Sequence, residues 1–284
     1  MRTLLLTLAA LIAFAANSVL TRIGLTLGEI GPWSFTLIRL LSGAIILTTL
    51  AQHKAGTRHN VWHSGSWRGA IALLIYASFF SYAYLSLPAG TGALILFAMV
   101  QVTMLGAGLI SGERFSKIQW LGTGLAMGGL VYLLTPNIAP PSPLGALLMA
   151  LAGIGWGIYS LLGRQNTIDP TAQTAGNFLR AAPIIIILST PIFFTLPETT
   201  PAVNGIILAV ISGALTSGLG YVIWYAALKS LSATRAGVAQ LSVPPLAAFG
   251  GILFLNEPVD LRFTLATLII FTGIILAVLW PKNL

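Results

Sequence analysis

Polar side chains that interrupt long apolar runs are the residues of this sequence that could do chemistry. Asn17, Gln101 and Gln240 each stand inside a run of mostly apolar residues. Hydrocarbon disfavours a polar group without a partner, so such residues mark binding sites or contacts between helices. Phe97 lies one helical turn before Gln101, and Phe14 lies three residues before Asn17. A ring and an amide on one helical face suit a small molecule with apolar and polar parts.

Two further stretches combine such residues at helical spacing. Trp156 and Tyr159 stand three residues apart, and Gln240 and Pro244 stand four apart with Ser242 between them. The Pro-Pro pair that starts at Pro244 removes two backbone donors, which predicts a kink or carbonyl groups that face a wet cavity. The alternative for each aromatic residue is that it packs helices together or lies in an interfacial belt.

Residue types that catalysis needs are missing from the apolar runs. No carboxylate lies near the middle of a run, the chain has no cysteine, and His53, His59 and His63 crowd into one polar segment. The histidines could bind a metal, but we interpret the segment as a solvated loop. No HExxH motif, Gly-x-Ser-x-Gly elbow or aspartate pair occurs. We therefore predict no catalytic residue, no metal site, no cofactor and no enzyme activity.

The composition places these residues in an integral membrane protein. Of the 284 residues, 56% are hydrophobic and 7% are charged, whereas a soluble domain carries about 25% charged residues. So few charges cannot cover a soluble surface, which excludes a soluble enzyme and a nucleic-acid-binding protein. The 14 lysines and arginines outnumber six acidic residues, but most lie between apolar runs, where they signal topology. The lipid bilayer is therefore a predicted partner, and nucleic acid is not.

Ten apolar runs approach the length of about 20 residues that crosses a bilayer. They cover residues 3–25, 32–51, 68–87, 91–111, 117–134, 143–163, 172–195, 203–228, 233–254 and 260–280. With a cytoplasmic N-terminus, ten lysines and arginines lie inside, and only Arg22 and Arg262 lie outside. This bias predicts that both termini are cytoplasmic. A cleavable secretory signal is the alternative for the first run.

The two halves of the chain resemble each other. Phe14, Ser18 and Arg22 match Trp156, Ser160 and Arg164, Arg39 matches Arg180, and six residues from Gly106 to Gly129 recur 144 positions later. Because each unit has five spans, the second must enter the membrane upside down. The sequence therefore predicts an all-α membrane protein with ten transmembrane helices in two inverted five-helix repeats, residues 1–135 and 143–284.

The sequence resembles members of the drug/metabolite transporter superfamily, in particular the ten-helix members that are built from two EamA-type units. The resemblance covers nearly the whole chain. It is carried by Gly-Trp-Gly-Ile-Tyr-Ser at 155–160 with Arg164, by Tyr221 with 224–228, and by Asn256-Glu257-Pro258. Within the superfamily, the chain resembles the bacterial YddG-type exporters of amino acids. The resemblance implies a cavity lined by spans 1, 3, 4, 6, 8 and 9, with spans 5 and 10 as scaffold, and it adds five aromatic candidates: Phe79, Tyr82, Tyr221, Trp224 and Tyr225.

Fourteen residues are thus candidates for substrate binding. They are Phe14, Asn17, Phe79, Tyr82, Phe97, Gln101, Trp156, Tyr159, Tyr221, Trp224, Tyr225, Gln240, Ser242 and Pro244.

Charged residues within or beside the spans have two interpretations each. Arg39 and Arg180 could clamp an anion, or they could extend to the nearer interface or bond to backbone carbonyls. The resemblance implies that spans 2 and 7 lie outside the cavity, so we favour the second interpretation. Glu113 and Glu257 could cap loops or pair with basic residues as a gate. Because the lined face offers no cation, we expect zwitterionic or neutral cargo.

These predictions describe a monomeric carrier in the bacterial inner membrane that exports amino acids, aromatic ones included, or similar small zwitterionic metabolites. Two inverted half-structures can exchange conformations, so that a midplane site opens alternately to each side. Since no carboxylate or histidine relay lies within the spans, facilitated efflux competes with proton antiport as the mechanism. An exporter of another metabolite or drug class, such as nucleosides, and a channel-like facilitator are the alternatives.

Overall fold

Every regular element in the described part of the computed structural model is a helix. The described residues are 2–27, 30–55, 61–110, 116–134, 141–164, 169–195, 200–231 and 239–279. The helices are α1 (Arg2–Thr26), α2 (Pro32–Ala55), the single turn α3 (Val61–Ser64), α4 (Trp67–Ala83), α5 (Ala89–Ile110), α6 (Lys117–Leu134), α7 (Pro143–Arg164), α8 (Pro170–Thr195), α9 (Val203–Ile211), the π-helix π1 (Ser212–Leu219), α10 (Gly220–Leu228), α11 (Val243–Leu255) and α12 (Leu261–Leu279).

Several helices have the length and composition of membrane spans. By both criteria these are Arg2–Thr26, Pro32–His53, Ala89–Ile110, Pro143–Gly163 and Val203–Leu228, the last of which runs continuously through α9, π1 and α10. Large apolar side chains on the outside of the bundle, such as Ile45, Ile187 and Leu268, are exposed. A surface of this kind suits contact with lipid chains and not with water.

Local chemistry explains where several helices begin and end. The Ser66 hydroxyl accepts a hydrogen bond from the Gly69 N–H and so caps the start of α4. Asp169 caps α8 in the same way, since its carboxylate accepts from the backbone of Thr171 and Ala172. Such caps satisfy N–H groups that have no partner within the helix. Asn256 ends α11 in the left-handed conformation, with a φ of 51°, which is a common way to stop a helix.

Contacts between helix ends show how the helices run relative to one another. Arg22, near the end of α1, bonds to the carbonyls of Tyr84 and Leu85 just after α4, while Glu257, after α11, accepts from the first N–H of α5. We call this side of the bundle the Glu257 end. At the opposite side, the Gly65 end, the backbone before α4 touches Gly176 on α8 so closely that neither glycine has room for a Cβ. Helices α1 and α4 therefore end, and α5 begins, on one side.

Candidate functional site

Five aromatic side chains from four helices meet in the interior of the bundle. The ring centre of Trp156 lies 4.6 Å from Tyr221, 5.1 Å from Tyr76 and 5.4 Å from Phe14. Trp224 completes the group at 5.6 Å from Phe14, and all five residues are buried. Each such ring pair contributes about 0.5–1.5 kcal/mol beyond its buried area. We call these five residues the aromatic cluster; four of them are predicted candidates, and Tyr76 is an addition.

Two more candidates extend the cluster along α7 and α10. Tyr159 stacks on Trp156 at 5.6 Å, and Tyr225 stacks on Tyr159 at 5.7 Å. The Tyr225 hydroxyl donates to the Tyr159 carbonyl over 3.0 Å, and the same ring occupies the space where Gly163 has no side chain. The rings of Trp156, Tyr159 and Tyr225 thus form a continuous stack.

Gln240 reaches the cluster from the chain segment that precedes α11. Its Oε1 accepts from the Trp156 indole N–H over 3.4 Å, and the residue is fully buried. The helical residues 239–240 are separated from α11 by a turn at 241–242. Pro244 and its neighbour stand in the first turn of α11 and lack backbone donors, a feature from which the sequence predicted a kink. Pro244 is buried at the start of α11, whereas Ser242 is exposed in the turn.

The remaining candidates lie elsewhere on α4 and α5. Tyr82 is half-buried with its ring 6.5 Å from Trp33, and Phe79 is half-buried on the same helix. Phe97 is buried, and Gln101, one turn later, lines a small cavity with side chains of α6 and α12. The structure therefore places Gln101 against the two helices expected to serve as scaffold, and not among the aromatic rings.

Asn17, a predicted site residue, joins α1 to π1. Its Oδ1 accepts from the hydroxyls of Ser212, at 2.7 Å, and Thr216, at 3.0 Å, and its Nδ2 donates to the Tyr76 hydroxyl over 3.3 Å. The wider π-helical turn places Ser212 and the adjacent pair Thr216 and Ser217 toward α1, and π-helices are frequent at functional sites. This segment is not among the predicted site residues, although its density of serine, threonine and glycine within an apolar run is a usable signal.

Arg39 lies buried beside the aromatic cluster, which corrects the favoured interpretation that it extends to an interface or bonds to backbone carbonyls. Its Nε donates to the Ser217 hydroxyl over 2.8 Å, and its Nη2 donates to the hydroxyls of Tyr221, at 2.9 Å, and Tyr76, at 3.1 Å. The guanidinium also lies over the Tyr76 and Phe80 rings, 5.1 and 5.0 Å from their centres. Hydroxyls from π1, α4 and α10 thus hold Nε and Nη2 inside the bundle, whereas Nη1 has no acceptor among the described residues. The expectation that no cation lies near the lined face is therefore wrong.

Arg180, the equivalent residue in the proposed repeat, follows the favoured interpretation. Its Nη1 donates to the Gly176 carbonyl over 3.1 Å. Its guanidinium lies over the rings of Trp62 and Trp67, at 4.8 and 5.8 Å, and both tryptophans are substantially exposed. This arginine therefore belongs to the Gly65 end and not to the cluster.

Glu257 and Arg22 together connect four helices at the Glu257 end. Its Oε1 pairs with the Arg22 Nε at 2.9 Å, and its Oε2 accepts from the Ala89 N–H at 2.8 Å. Arg22 in turn donates to the Tyr84 carbonyl over 2.7 Å. Glu257 thus caps α5 and pairs with a basic residue, and a gating role of this pair stays a prediction. Glu113 lies outside the described residues.

No set of three His, Cys, Asp or Glu side chains that could hold a metal occurs within the described ranges. Of the three clustered histidines, His53 lies on α2, His63 lies on α3, and His59 falls outside the described residues. The arrangement at the centre of the bundle is instead a set of rings, hydroxyls, amides and one guanidinium, which can bind a small polar molecule with an apolar part.

Comparison with known proteins decides the family of the chain. The model of the EamA-like transporter family matches residues 1–135 and again residues 143–279. The chain belongs to the EamA-like transporter family. This EamA-like transporter is therefore a multi-pass membrane protein, and its helices are those of a membrane transporter.

Relatives of this transporter span most of its length. An uncharacterized Pseudomonas aeruginosa protein, PA1977, is 49% identical over 281 residues, which are 99% of this chain and 96% of its relative. The uncharacterized transporter YoaV of Bacillus subtilis is 23% identical over 87% of each chain. The uncharacterized inner membrane transporter YedA of Escherichia coli K12 is 24% identical over 42% of this chain and 39% of its own. A protein crystal structure with 20% sequence identity shares the fold, with a TM-score of 0.71 over 99% of each chain.

Proposed function

We propose that this EamA-like transporter is an alternating-access carrier that exports amino acids, aromatic ones included, or similar small zwitterionic metabolites. The observation that carries the proposal is the buried aromatic cluster with polar groups at its edge. Rings bury an apolar side chain, whereas the Arg39 guanidinium, which has no acceptor for Nη1 among the described residues, offers hydrogen bonds to the polar end of the cargo. A cation over a Trp or Tyr face adds about 0.5–2 kcal/mol.

The proposed architecture has ten transmembrane helices in two inverted five-helix units, residues 1–135 and 143–284. Two matches to one family model support it, as does the reversal of direction between helices that follow each other. Phe14 and Trp156, which occupy equivalent places in the two units, meet at the centre with ring centres 5.4 Å apart. A site shared between two inverted units is the arrangement that alternating access uses.

We place the transporter in a bacterial inner membrane as a monomer, with both termini in the cytoplasm and the Glu257 end facing the periplasm. The excess of lysine and arginine in the connections assigned to the cytoplasm supports this orientation. The inner membrane name of YedA agrees with it. In this orientation the Arg22–Glu257 pair closes the outer side of the bundle.

The proposed cycle rocks the two units about the cluster. The turn at 241–242 interrupts the helical path beside Gln240, and a break of this kind lets one segment move while the other stays packed. Because side chains fill the centre of the bundle, cargo must displace ring contacts to pass, which favours a carrier over an open channel. Since no described carboxylate lies at the cluster, export driven by the cargo gradient is the simplest coupling.

Counterflow into proteoliposomes tests the function. Vesicles preloaded with unlabelled cargo receive a panel of labelled amino acids, nucleosides and sugars. We expect uptake of at least one aromatic amino acid that depends on the preloaded partner. Trp156→Ala removes the ring at the middle of the cluster and should reduce the rate by about 10-fold or more, since several ring contacts are lost together. Trp120→Ala is the matched control, because Trp120 is 55% exposed on α6.

Three outcomes would contradict the proposal. Counterflow of nucleosides or sugars without that of any amino acid would assign another substrate class. Uptake that does not depend on the preloaded partner would indicate a channel. Equal losses in Trp156→Ala and Trp120→Ala would remove the cluster from the transport path.

A further inference from the structure

We infer that Arg39 is the group that binds the substrate carboxylate, and that the site selects its cargo by this carboxylate and not by the ammonium group. The inference deepens the proposed function and rests on it. It makes the substrate class small monocarboxylates with an apolar side chain, of which amino acids are one subset.

The guanidinium of Arg39 is a buried cation, and no carboxylate of the described residues pairs with it. An arginine side chain stays charged in proteins, and Arg39 is only 1% exposed. Its described partners are three hydroxyls and two ring faces. The described acidic residues Asp169, Glu257 and Asp260 flank helix ends, and Glu29, Glu113 and Glu198 lie in the connections by sequence. An uncompensated buried cation is costly, and an anionic ligand would relieve that cost.

Two buried atoms beside the cluster can only donate hydrogen bonds, and both lack an acceptor in the described structure. They are Nη1 of Arg39 and Nε1 of Trp224. A buried donor without an acceptor is unfavourable, so a ligand that supplies acceptor atoms would relieve the cost of either one. A carboxylate has only acceptors, and it matches the donor geometry of a guanidinium.

The amide and tyrosine acceptors around Arg39 are, in contrast, each already engaged by the protein. Asn17 Oδ1 accepts from Ser212 and Thr216, and Gln240 Oε1 accepts from Trp156. The Tyr76 and Tyr221 hydroxyls accept from Arg39. An ammonium would therefore find ring faces but no carboxylate, which makes its contribution the weaker of the two.

The position of Arg39 also connects the anion to the rings. Tyr76 and Tyr221 bond to its guanidinium and stand 5.1 and 4.6 Å from Trp156 by ring centres. A carboxylate on Nη1 would thus lie within one small side chain of the aromatic cluster. The geometry suits a small molecule that carries a carboxylate close to an apolar group.

The wild-type protein alone can test this selectivity. Proteoliposomes preloaded with phenylalanine are challenged with labelled phenylalanine in competition with 3-phenylpropionate, phenylalanine amide or phenethylamine. We expect 3-phenylpropionate to compete within about 3-fold of phenylalanine, and the two compounds without a carboxylate to compete at least about 10-fold more weakly. Competition by the amide that equals that of phenylalanine, or none by 3-phenylpropionate, would overturn the inference.

Variants then assign the selectivity to Arg39. Arg39→Gln should raise the KM for phenylalanine by about 10-fold or more and remove the preference for acid over amide, whereas Arg180→Gln, the control, should keep both. An Arg39→Gln protein that retains the wild-type preference would overturn the assignment. If Arg39→Gln does not fold, Tyr221→Phe, which keeps the cation but removes one of the two hydroxyls that accept from Nη2, should change the KM for phenylalanine and not the competition by the amide. A Tyr221→Phe protein that changes both alike would equally overturn the assignment.

The outcomes separate this inference from the proposed function. If no amino acid undergoes counterflow, the proposed function fails, and the inference is then judged by binding alone. Quenching of tryptophan fluorescence in detergent by 3-phenylpropionate, and not by the amide, would still support the Arg39 site. Equal quenching by both compounds, or quenching by neither, would reject it.

Discussion

Two glutamines that look alike in the sequence occupy different places in the structure. Both are buried, at 0% exposure for Gln240 and 3% for Gln101. Gln240 accepts a hydrogen bond from Trp156, whereas Gln101 lines a cavity against α6 and α12. At the scale of the residue, function therefore depends on which neighbour the helix face meets, and an apolar helix does not reveal that by itself.

The two glutamines give a matched pair of variants. Gln240→Met keeps the size of the side chain but leaves the Trp156 N–H without its acceptor, a loss of about 1–3 kcal/mol when the donor is buried. We expect it to lower the counterflow rate of aromatic amino acids several-fold. Gln101→Met should lower the melting temperature in detergent without changing the KM. A change of KM in Gln101→Met and none in Gln240→Met would show that the site lies toward α6.

The aromatic residues of the site could be predicted in part, because Phe14 and Trp156 occupy equivalent positions in the proposed repeat and inverted units would meet at their shared axis. The sequence named Arg39 as a possible anion clamp but could not decide between that interpretation and the alternative. The burial of Arg39 requires hydroxyls from α4, π1 and α10 to converge on one guanidinium, and nothing within span 2 encodes that convergence.

At the scale of the element, the most informative feature is π1. Most predicted spans agree with the observed helices, and residues 117–134 coincide with α6, because length and hydropathy suffice to place a span. The π-helix was not predicted, since apolar composition is the same for either helix type. Tertiary contacts fix the π-helix instead, because Gly213 lies against the backbone of Arg39 and Ser212 bonds to Asn17.

Gly213 should therefore tolerate no side chain. A Cβ at this position would collide with the carbonyl oxygen of Arg39 and the hydroxyl of Ser42, and a backbone atom cannot move aside as a side chain can. We expect Gly213→Ala to cost about 1–3 kcal/mol and to lower the melting temperature of the purified transporter. Gly128→Ala is the control, because no described atom lies within 4 Å of its Cβ; a Gly213→Ala protein as stable as this control would contradict the tight packing of π1 on α2.

At the scale of the whole molecule, the bundle is tied together at the Glu257 end. A single carboxylate links Arg22 on α1 to the first turn of α5, and Arg22 reaches the chain after α4. A cavity of about 300 Å³ opens beside this junction, lined in part by Thr91, Glu257 and Arg262. Glu257 thus both lines this cavity and pairs with α1, the helix that carries Phe14 of the cluster, and in the proposed orientation this is the place for an outer gate.

Thiol labelling can test this gate, because the chain has no cysteine and Ser18→Cys would supply its sole thiol. Ser18 lies one turn before Arg22 and is 2% exposed, so a membrane-impermeant reagent added outside should label it slowly. Glu257→Gln removes a partly buried charged hydrogen bond, worth about 1.5–3 kcal/mol, and each 1.4 kcal/mol changes the open population by about tenfold. We therefore expect labelling of Ser18→Cys to accelerate by about 10-fold in the Glu257→Gln background.

Asp260→Asn is the control, since Asp260 caps α12 at the same end without bridging α1 to α5. Acceleration by Asp260→Asn and none by Glu257→Gln would show that the Arg22–Glu257 pair does not hold the outer side closed.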